Sequence, residues 1–189
     1  AGVTYTYDGD GERVKKSSGT LYWGLASNEP LAEGDLSSNV TKEFIFFGGK
    51  RIGRLDLPGG AVHYYFSDHL GSSNVVTNST GATIEEESDF YPFGGERVLT
   101  DLLPDQSYKF TGKERDPESG LDFFGARYYS SPLGRFITPD WAAAPTAVPY
   151  AEYGDPQSLN LYGYVRNNPL RYTDPSGHDT GVAEAAKEA

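Results

Sequence analysis

Side chains that could carry catalytic or metal chemistry are few in this chain and widely spaced. The sequence contains no Cys, which excludes disulfides, thiolate nucleophiles and zinc ribbons. The three imidazoles, His63, His69 and His178, are too scattered for a convincing metal site, although Asp68 and His69 could supply ligands beside another acid. We therefore predict no metal and no cofactor.

Two acidic segments have an ordinary structural interpretation. Asp8-Gly9-Asp10-Gly11 is similar to part of a calcium-binding loop, but the spaced acids and terminal Glu of such a loop are missing, and we interpret it as a hairpin turn. Asp174 directly precedes Pro175, which is typical of turn chemistry.

The charge balance excludes several classes of partner. The formal net charge is -11, from 27 acidic and 16 basic residues, and such a field repels phosphate backbones and anionic lipid surfaces. We predict no nucleic-acid binding. No apolar run reaches membrane-spanning length, so we also predict no membrane insertion. The sequence has no Met and begins at Ala1, and we interpret it as a fragment or processed product of a longer protein.

The elements that must position any site are strands. The chain has 14 Tyr, 10 Phe, 23 Gly and 12 Pro, a composition that suits short strands and turns better than helices. Turn residues that tolerate positive φ separate the apolar segments, so they read as hairpins. The predicted strands are Val3 to Tyr7, Thr20 to Leu25, Glu43 to Phe47, Lys50 to Leu57, Ala61 to Phe66, Asn74 to Asn78, Ala82 to Phe90 and Ser107 to Thr111.

A weak internal repeat of about twenty residues runs through these hairpins. An aromatic residue, an Asp and a Gly recur together, as in Tyr7-Asp8 with Gly11 and Phe66-Ser67-Asp68 with Gly71. A lone hairpin cannot bury its aromatic face, so successive hairpins must stack or join one sheet. A generic meander with frequent Tyr is the alternative interpretation.

The amino-acid composition changes at Gly112, after which prolines recur too often for long strands. We expect this half to be compact but irregular, with short helical turns. The last nine residues, Gly181 to Ala189, have helical propensity but too little length to hold a helix alone. The predicted divisions are a hairpin region over residues 1–111, a Pro-rich unit over residues 112–178 and a short flexible tail over residues 179–189.

Four ordered motifs in this second half resemble the RHS repeat-associated core domain of RHS/YD-repeat proteins. They are Phe110-Thr111-Gly112-Lys113-Glu114-Arg115-Asp116 continuing to Arg127-Tyr128-Tyr129, then Pro132-Leu133-Gly134-Arg135-Phe136, then Asn160-Leu161-Tyr162-Gly163-Tyr164, and then Asp174-Pro175-Ser176-Gly177. The resemblance covers about residues 64–177, and Tyr5 to Lys16 looks like one further YD repeat.

This resemblance implies an all-β fold in which an antiparallel hairpin strip curls into a shell-like sheet. The Pro-rich half would be the plug that closes one end of the hollow shell. It also implies partners: upstream YD repeats of the same parent chain, a toxin cargo enclosed by the shell, and an extracellular or cell-surface location. An open sheet edge at residues 1–7 would favour strand addition, hence a homo-oligomer or filament.

The same resemblance implies a self-cleaving aspartic protease formed by Arg127, Asp140 and Asp174, with the cut after His178. Two carboxyl groups brought close in a water-poor site share one proton, so one can activate water while the other protonates the leaving amide. A guanidinium such as Arg127 would keep the two groups asymmetric.

The sequence departs from the family pattern at two places. Residue 178 is His where the family has Leu, and a pocket shaped for Leu should accept an imidazole less well. The Pro- and Ala-rich segment from Trp141 to Gln157 looks like an insertion between the two Asp. The chain also continues past the expected cut.

Three functions are therefore carried forward. The first is a structural, encapsulating module of a secreted or surface RHS-repeat protein, which could self-assemble. The second is self-cleavage after His178 by Asp140 and Asp174, with no external substrate. The third is a glycan-binding adhesin, which requires a groove lined by Tyr and Trp on the outer face.

Overall fold

The computed structural model describes residues 2–24, 29–103, 105–140, 154–178 and 183–184. Across these ranges the regular elements are β-strands and three short 3₁₀ turns, without an α-helix. The predicted all-β class is confirmed. Nowhere in the same ranges is a helix long and apolar enough to cross a membrane.

Ten antiparallel strands form one sheet in which each strand pairs with the strands next to it in the chain. Tight turns make this possible: Gly48 and Gly49, for example, have φ of 58° and 77°, as a two-residue hairpin turn requires. The strands are β1 (Tyr5–Tyr7), β2 (Arg13–Lys16), β3 (Thr20–Trp23), β4 (Ala32–Gly34), β5 (Val40–Phe47), β6 (Lys50–Asp56), β7 (Ala61–Ser67), β8 (Ser73–Asn78), β9 (Ile84–Phe90) and β10 (Glu96–Asp101).

Three of these strands are absent from the predicted set, and one predicted strand is wrong. β2, β4 and β10 were missed because they are short or carry several charged residues, which hides any apolar alternation. The prediction of a strand over Ser107 to Thr111 is contradicted. Tyr108 makes only an isolated bridge to Glu114, and Phe110–Gly112 forms a 3₁₀ turn. Thr111 has a positive φ of 49°, which an extended strand does not allow.

The covered face of the sheet is unusually polar. Arg51, Arg54 and Glu86 are buried on it. On β7 His63 and Tyr65 are buried, whereas Tyr64 and Phe66, which alternate with them, are exposed. Buried charges of this kind must be paired, because an isolated ion in a protein interior is strongly unfavourable.

A second, four-stranded antiparallel sheet provides the surface against which the first sheet packs. Its strands are β11 (Glu114–Asp116), β12 (Leu121–Phe123), β13 (Tyr128–Ser130) and β14 (Arg135–Phe136). An aromatic core lies on it, in which rings meet edge to face, as for Phe124 and Phe136 with ring centroids 5.5 Å apart, or tilted, as for Tyr129 and Tyr164 with ring centroids 4.7 Å apart. The buried members of this core are Leu70, Phe110, Phe124, Tyr129, Phe136, Tyr164 and Val165.

The ten-stranded sheet must curve around this second sheet. If the sheet were flat, β2 and β10 would lie about 38 Å apart, given a strand spacing of about 4.8 Å. Yet Arg13 from β2 contacts Glu114, and Glu96 from β10 contacts Arg115 at 2.9 Å. Because neighbouring residues of β11 reach opposite ends of the sheet, the sheet wraps around the smaller one.

Five charged residues, which we call the inter-sheet cluster, join the two sheets at the β2 end. Arg13 donates to Asp116 at 2.8 Å and to Glu114 at 2.6 Å, and Lys16 lies 2.8 Å from Asp116 and 3.3 Å from Glu118. The guanidinium also lies over the Phe123 ring, 4.1 Å from its centroid. These contacts satisfy charges that both sheets bury.

The predicted flexible tail lies mostly outside the described residues. The exception is β16 (Ala183–Glu184), which pairs with β15 (Tyr172–Thr173) in a two-stranded ladder.

Candidate functional site

The three residues of the predicted protease site converge in the structure. Arg127 directly precedes β13, Asp140 follows β14, and Asp174 follows β15. One guanidinium nitrogen, Nη2 of Arg127, lies 3.2 Å from Oδ2 of Asp140 and 3.4 Å from Oδ2 of Asp174. All three side chains are buried, so the two carboxyl groups meet in a site with little solvent.

The guanidinium of Arg127 is fixed by more than the two acids. It lies 3.6 Å from the centroid of the Phe136 ring, on the neighbouring strand. Its Nη1 donates to the carbonyl of Leu161 at 3.0 Å, and the same carbonyl accepts the backbone N–H of Asp140 at 2.8 Å. Leu161 therefore couples the position of the arginine to that of the aspartate.

Asp174 organises the chain segment that follows it. Its Oδ1 accepts the backbone N–H groups of Ser176, Gly177 and His178 at 3.2, 2.8 and 3.1 Å. Burial raises the pKa of Asp174, and the charge of Arg127 and these three N–H groups oppose that rise. The carboxyl group thus retains its proton to higher pH than an exposed Asp.

The carbonyl groups of this turn are also satisfied. Pro175 accepts from Nζ of Lys113 at 2.8 Å, and Ser176 accepts from the backbone N–H of Ala126 at 3.1 Å. The carbonyl of Gly177 accepts from Nε of Arg127. With donors and acceptors both engaged, residues 174–178 form a rigid turn that ends at the expected cleavage point.

His178 contacts both aspartates. Its backbone N–H donates to Asp174, and its Nδ1 lies 2.7 Å from Oδ1 of Asp140. A Leu side chain, the residue of the family pattern, could make no such polar contact. The substitution therefore gives Asp140 an imidazole partner that the family pattern lacks. The following residue, Asp179, lies outside the described residues.

Some members of the site were not predicted from the sequence. Arg127 is held by the ring face of Phe136 and by the backbone carbonyl of Leu161, and the turn is held by Lys113. Residue type alone does not select any of these three residues. Their only sequence signal is that all three lie within the resembling motifs. Most of the suspected insertion from Trp141 to Gln157 lies outside the described residues.

The other residues considered for chemistry are dispersed. His63 lies 2.6 Å from Glu85 and 3.2 Å from Asp56, and His69 contacts the carbonyl of Leu170 at 3.1 Å. Across residues 2–24, 29–103, 105–140, 154–178 and 183–184, no group of three His, Asp or Glu side chains has an arrangement that could hold a metal ion.

Comparisons with known proteins agree with this fold. The family model of the teneurin YD-shell matches residues 56–170. The tRNA nuclease WapA of Bacillus subtilis (strain 168) is 30% identical over 182 residues, covering 93% of this chain and 7% of that protein. Toxin subunit YenC1 of Yersinia entomophaga is 35% identical over 127 residues, covering 65% of this chain and 12% of that protein.

Solved structures give the same result. The crystal structure of TcdB2-TccC3-Cdc42 aligns with a TM-score of 0.67 at 25% identity, over 94% of this chain and 9% of that chain. The crystal structure of TcdB2-TccC3-TEV aligns with a TM-score of 0.65 at 27% identity, over 93% of this chain and 9% of that chain. The chain thus spans only a small part of each of these relatives.

Proposed function

This chain belongs to the teneurin YD-shell family and is a structural, encapsulating module of an RHS/YD-repeat protein, and from this premise we propose that it closes one end of a hollow shell and cleaves itself after His178. The observation that carries the second part is the meeting of Asp140 and Asp174 on one nitrogen of Arg127. Both carboxyl groups also contact the residue that precedes the scissile bond.

The closing role is supported by the way in which the large sheet wraps around the smaller one. β1 is an edge strand, so its outer backbone groups are available to a strand from an upstream YD repeat of the parent chain. The enclosed space would hold a toxin cargo, in line with the toxin subunits among the relatives. An extracellular or cell-surface location follows for such a shell.

The cleavage chemistry follows from the positions of the two acids. Asp140, paired with Arg127 and adjacent to His178, accepts a proton from water as the water oxygen attacks the carbonyl carbon of His178. Asp174, whose pKa burial raises, supplies a proton to the departing nitrogen of Asp179. The products are a new carboxyl group on His178 and a new amino group on Asp179, with no cofactor consumed.

Intact mass spectrometry of the purified chain tests this proposal. We expect the wild-type protein to lose residues 179–189 on incubation, and the Asp174→Asn and Asp140→Asn variants to keep full length. Asp35→Asn is the matched control, because Asp35 also accepts two backbone N–H groups, at 2.8 and 3.0 Å, but lies in a distant exposed turn. Full-length mass for the wild type after prolonged incubation at acidic and neutral pH would refute self-cleavage.

The residue before the cut provides a second test. The imidazole of His178 occupies Oδ1 of Asp140, the oxygen that must accept the proton from water. We expect His178→Leu, which restores the family residue, to cleave faster than the wild type by about tenfold, the effect of releasing one hydrogen bond to a charged group. A slower His178→Leu variant would show that the imidazole assists the reaction.

Self-association through β1 is a separate part of the proposal. Electron microscopy or small-angle scattering of the purified chain would detect oligomers or filaments formed by strand addition at this edge. The N–H of Tyr5 faces the open edge, because its neighbour Thr4 hydrogen-bonds to Ser17 on the β2 side. Tyr5→Pro removes that outward donor and should abolish the oligomers. A monomeric particle at every concentration tested would refute self-assembly and leave the closing role unaffected.

A further inference from the structure

Lys113 connects the proposed cleavage site to the hairpin region. It follows the 3₁₀ turn Phe110–Gly112, and its side chain is only 7% exposed. Nζ donates to the carbonyl of Pro175 at 2.8 Å and lies 3.6 Å from a carboxylate oxygen of Glu29, between β3 and β4. One buried ammonium group therefore contacts both the residue after Asp174 and an acid of the hairpin region.

The contact with Pro175 orients one of the backbone donors of Asp174. The carbonyl of Pro175 and the N–H of Ser176 belong to the same planar peptide group and point in opposite directions. Lys113 holds the carbonyl end of this group, and the N–H end donates to Oδ1 of Asp174 at 3.2 Å. Because the peptide group is rigid, the position of the ammonium group determines the direction of that N–H.

Lys113 also acts on Asp174 through its charge. Lys113, Glu29 and Asp174 line one cavity of about 220 Å³ between the ten-stranded sheet and the Pro-rich half. Burial lowers the pKa of Lys113, whereas attraction from Glu29 and from Asp174 opposes that change. The same attraction favours the ionised form of Asp174, against the burial that raises the pKa of this carboxyl group.

Other titratable groups also face Asp174. Nη2 of Arg127 lies 3.4 Å from its Oδ2, and the same nitrogen is shared with Asp140. The imidazole of His178 contacts Asp140. The hydroxyl of Tyr164 is buried nearby, and burial raises its pKa well above the ordinary value, so it stays neutral. All of these groups belong to the Pro-rich half.

We infer that Lys113 is a positioning residue of the proposed cleavage site and that it couples Asp174 to the hairpin region through Glu29. The carboxylate of Glu29 also lies 3.6 Å from Nη2 of Arg51, on β6, so two hairpins of the large sheet contact it. Cleavage is thereby coupled to the packing of these hairpins against the Pro-rich half. The effect on the cleavage rate rests on the proposed function, whereas the effect on Asp174 is measurable in an uncut chain.

Two substitutions that change the charge near Asp174 in opposite senses test the inference. Lys113→Met removes a positive charge and should raise the pKa of Asp174, whereas Glu29→Gln removes the negative charge that neutralises Lys113 and should lower it. Nuclear magnetic resonance of the Asp174 carboxyl carbon measures both changes during a pH titration. An Asp140→Asn background keeps the chain full length in every sample. Lys15→Met, which removes an exposed cation of β2, is the matched control and should leave the titration unchanged.

The pH profile of cleavage, followed by intact mass without the Asp140 substitution, gives a second readout. Because Asp174 supplies a proton in the proposed reaction, the rate should fall at high pH as this group ionises. Lys113→Met should move this fall to higher pH and lower the maximal rate about tenfold, since one charge-assisted hydrogen bond to the turn is lost. Glu29→Gln should move it to lower pH at a nearly unchanged maximal rate. General damage to the fold would slow both variants without opposite shifts.

Two results would overturn the inference. The first is a pKa of Asp174 that stays the same, or changes in the same direction, in Lys113→Met and Glu29→Gln. The second is cleavage of Lys113→Met with the rate and the pH profile of the wild type. A wild type that stays full length refutes self-cleavage alone, and the titration of the uncut chain then decides whether Lys113 acts on Asp174.

Discussion

Replacement of Arg13 by Met tests whether the inter-sheet cluster fastens the two sheets together. The wild-type guanidinium is 2% exposed and contacts Glu114 at 2.6 Å and Asp116 at 2.8 Å. The Met side chain keeps much of the apolar contact with the Phe123 ring but leaves two buried carboxylates with Lys16 as their remaining cation. Removal of one member of a buried ion pair costs about 3–5 kcal/mol, and we expect a loss of that size in the free energy of unfolding.

Urea denaturation followed by tyrosine fluorescence and by circular dichroism measures this loss. Lys15→Met is the matched control, because Lys15 is exposed on the same strand and its removal should change stability by about 0.5 kcal/mol or less. The loss of unfolding free energy in Arg13→Lys should lie between those of Arg13→Met and Lys15→Met, since Lys keeps the charge but not the bidentate geometry.

The pH dependence adds an independent check. Burial raises the pKa of Glu114, against the opposing charge of Arg13, and loss of that charge raises it further. Protonation then removes the unpaired negative charge, so the deficit of Arg13→Met should shrink as the pH is lowered. A variant within about 1 kcal/mol of the wild type at neutral pH would refute the view that this cluster holds the sheets together.

Three further predictions follow from the packing and the buried charges. Phe124→Ala should lower the free energy of unfolding by about 3–5 kcal/mol, whereas Leu133→Ala, at a side chain 69% exposed, should change it little; equal effects in thermal denaturation would contradict the assigned core. Gly94→Ala should destabilise more than Gly11→Ala, because both have positive φ, but only at Gly94 would a Cβ lie 2.6 Å from the Phe110 ring; urea midpoints in the reverse order would contradict this packing. Burial raises the pKa of Asp122 from 3.8 to about 6, so the folded protein binds a proton that the unfolded chain releases. The free energy of unfolding should therefore fall as the pH rises from about 4 to 6, and an unchanged slope in Asp122→Asn would contradict the assignment.

The order of hairpins could be predicted from the sequence because turn residues and aromatic alternation are local signals. For this reason the bounds of β6 and β7 lie within one residue of the predicted positions, whereas β5 ends as predicted but begins three residues earlier. β2, whose sequence is Arg13-Val14-Lys15-Lys16, could not be recognised, since its buried residues are cations whose partners lie about a hundred positions later in the chain. Burial of a charge depends on tertiary contacts, which alternation does not report.

In the candidate site, too, some residues could be predicted from the sequence and others could not. Arg127, Asp140 and Asp174 were found through motif resemblance, and their convergence required knowledge of long-range folding. The contact between His178 and Asp140 could not be predicted, because it depends on the rotamer of a residue that departs from the family pattern. Residues that act through backbone carbonyls, such as Leu161, leave no trace in side-chain type.

The contact between β2 and β11 also bears on the kinetics of folding. Each hairpin of the large sheet forms between neighbouring segments, whereas the bond from Arg13 to Asp116 joins residues 103 positions apart. Closing so long a loop carries an entropic cost that grows with its length, and topologies rich in such distant contacts fold slowly. We expect the hairpins to form early and the contact between β2 and β11 to form last. A variant that weakens this contact should therefore increase the unfolding rate more than it decreases the folding rate.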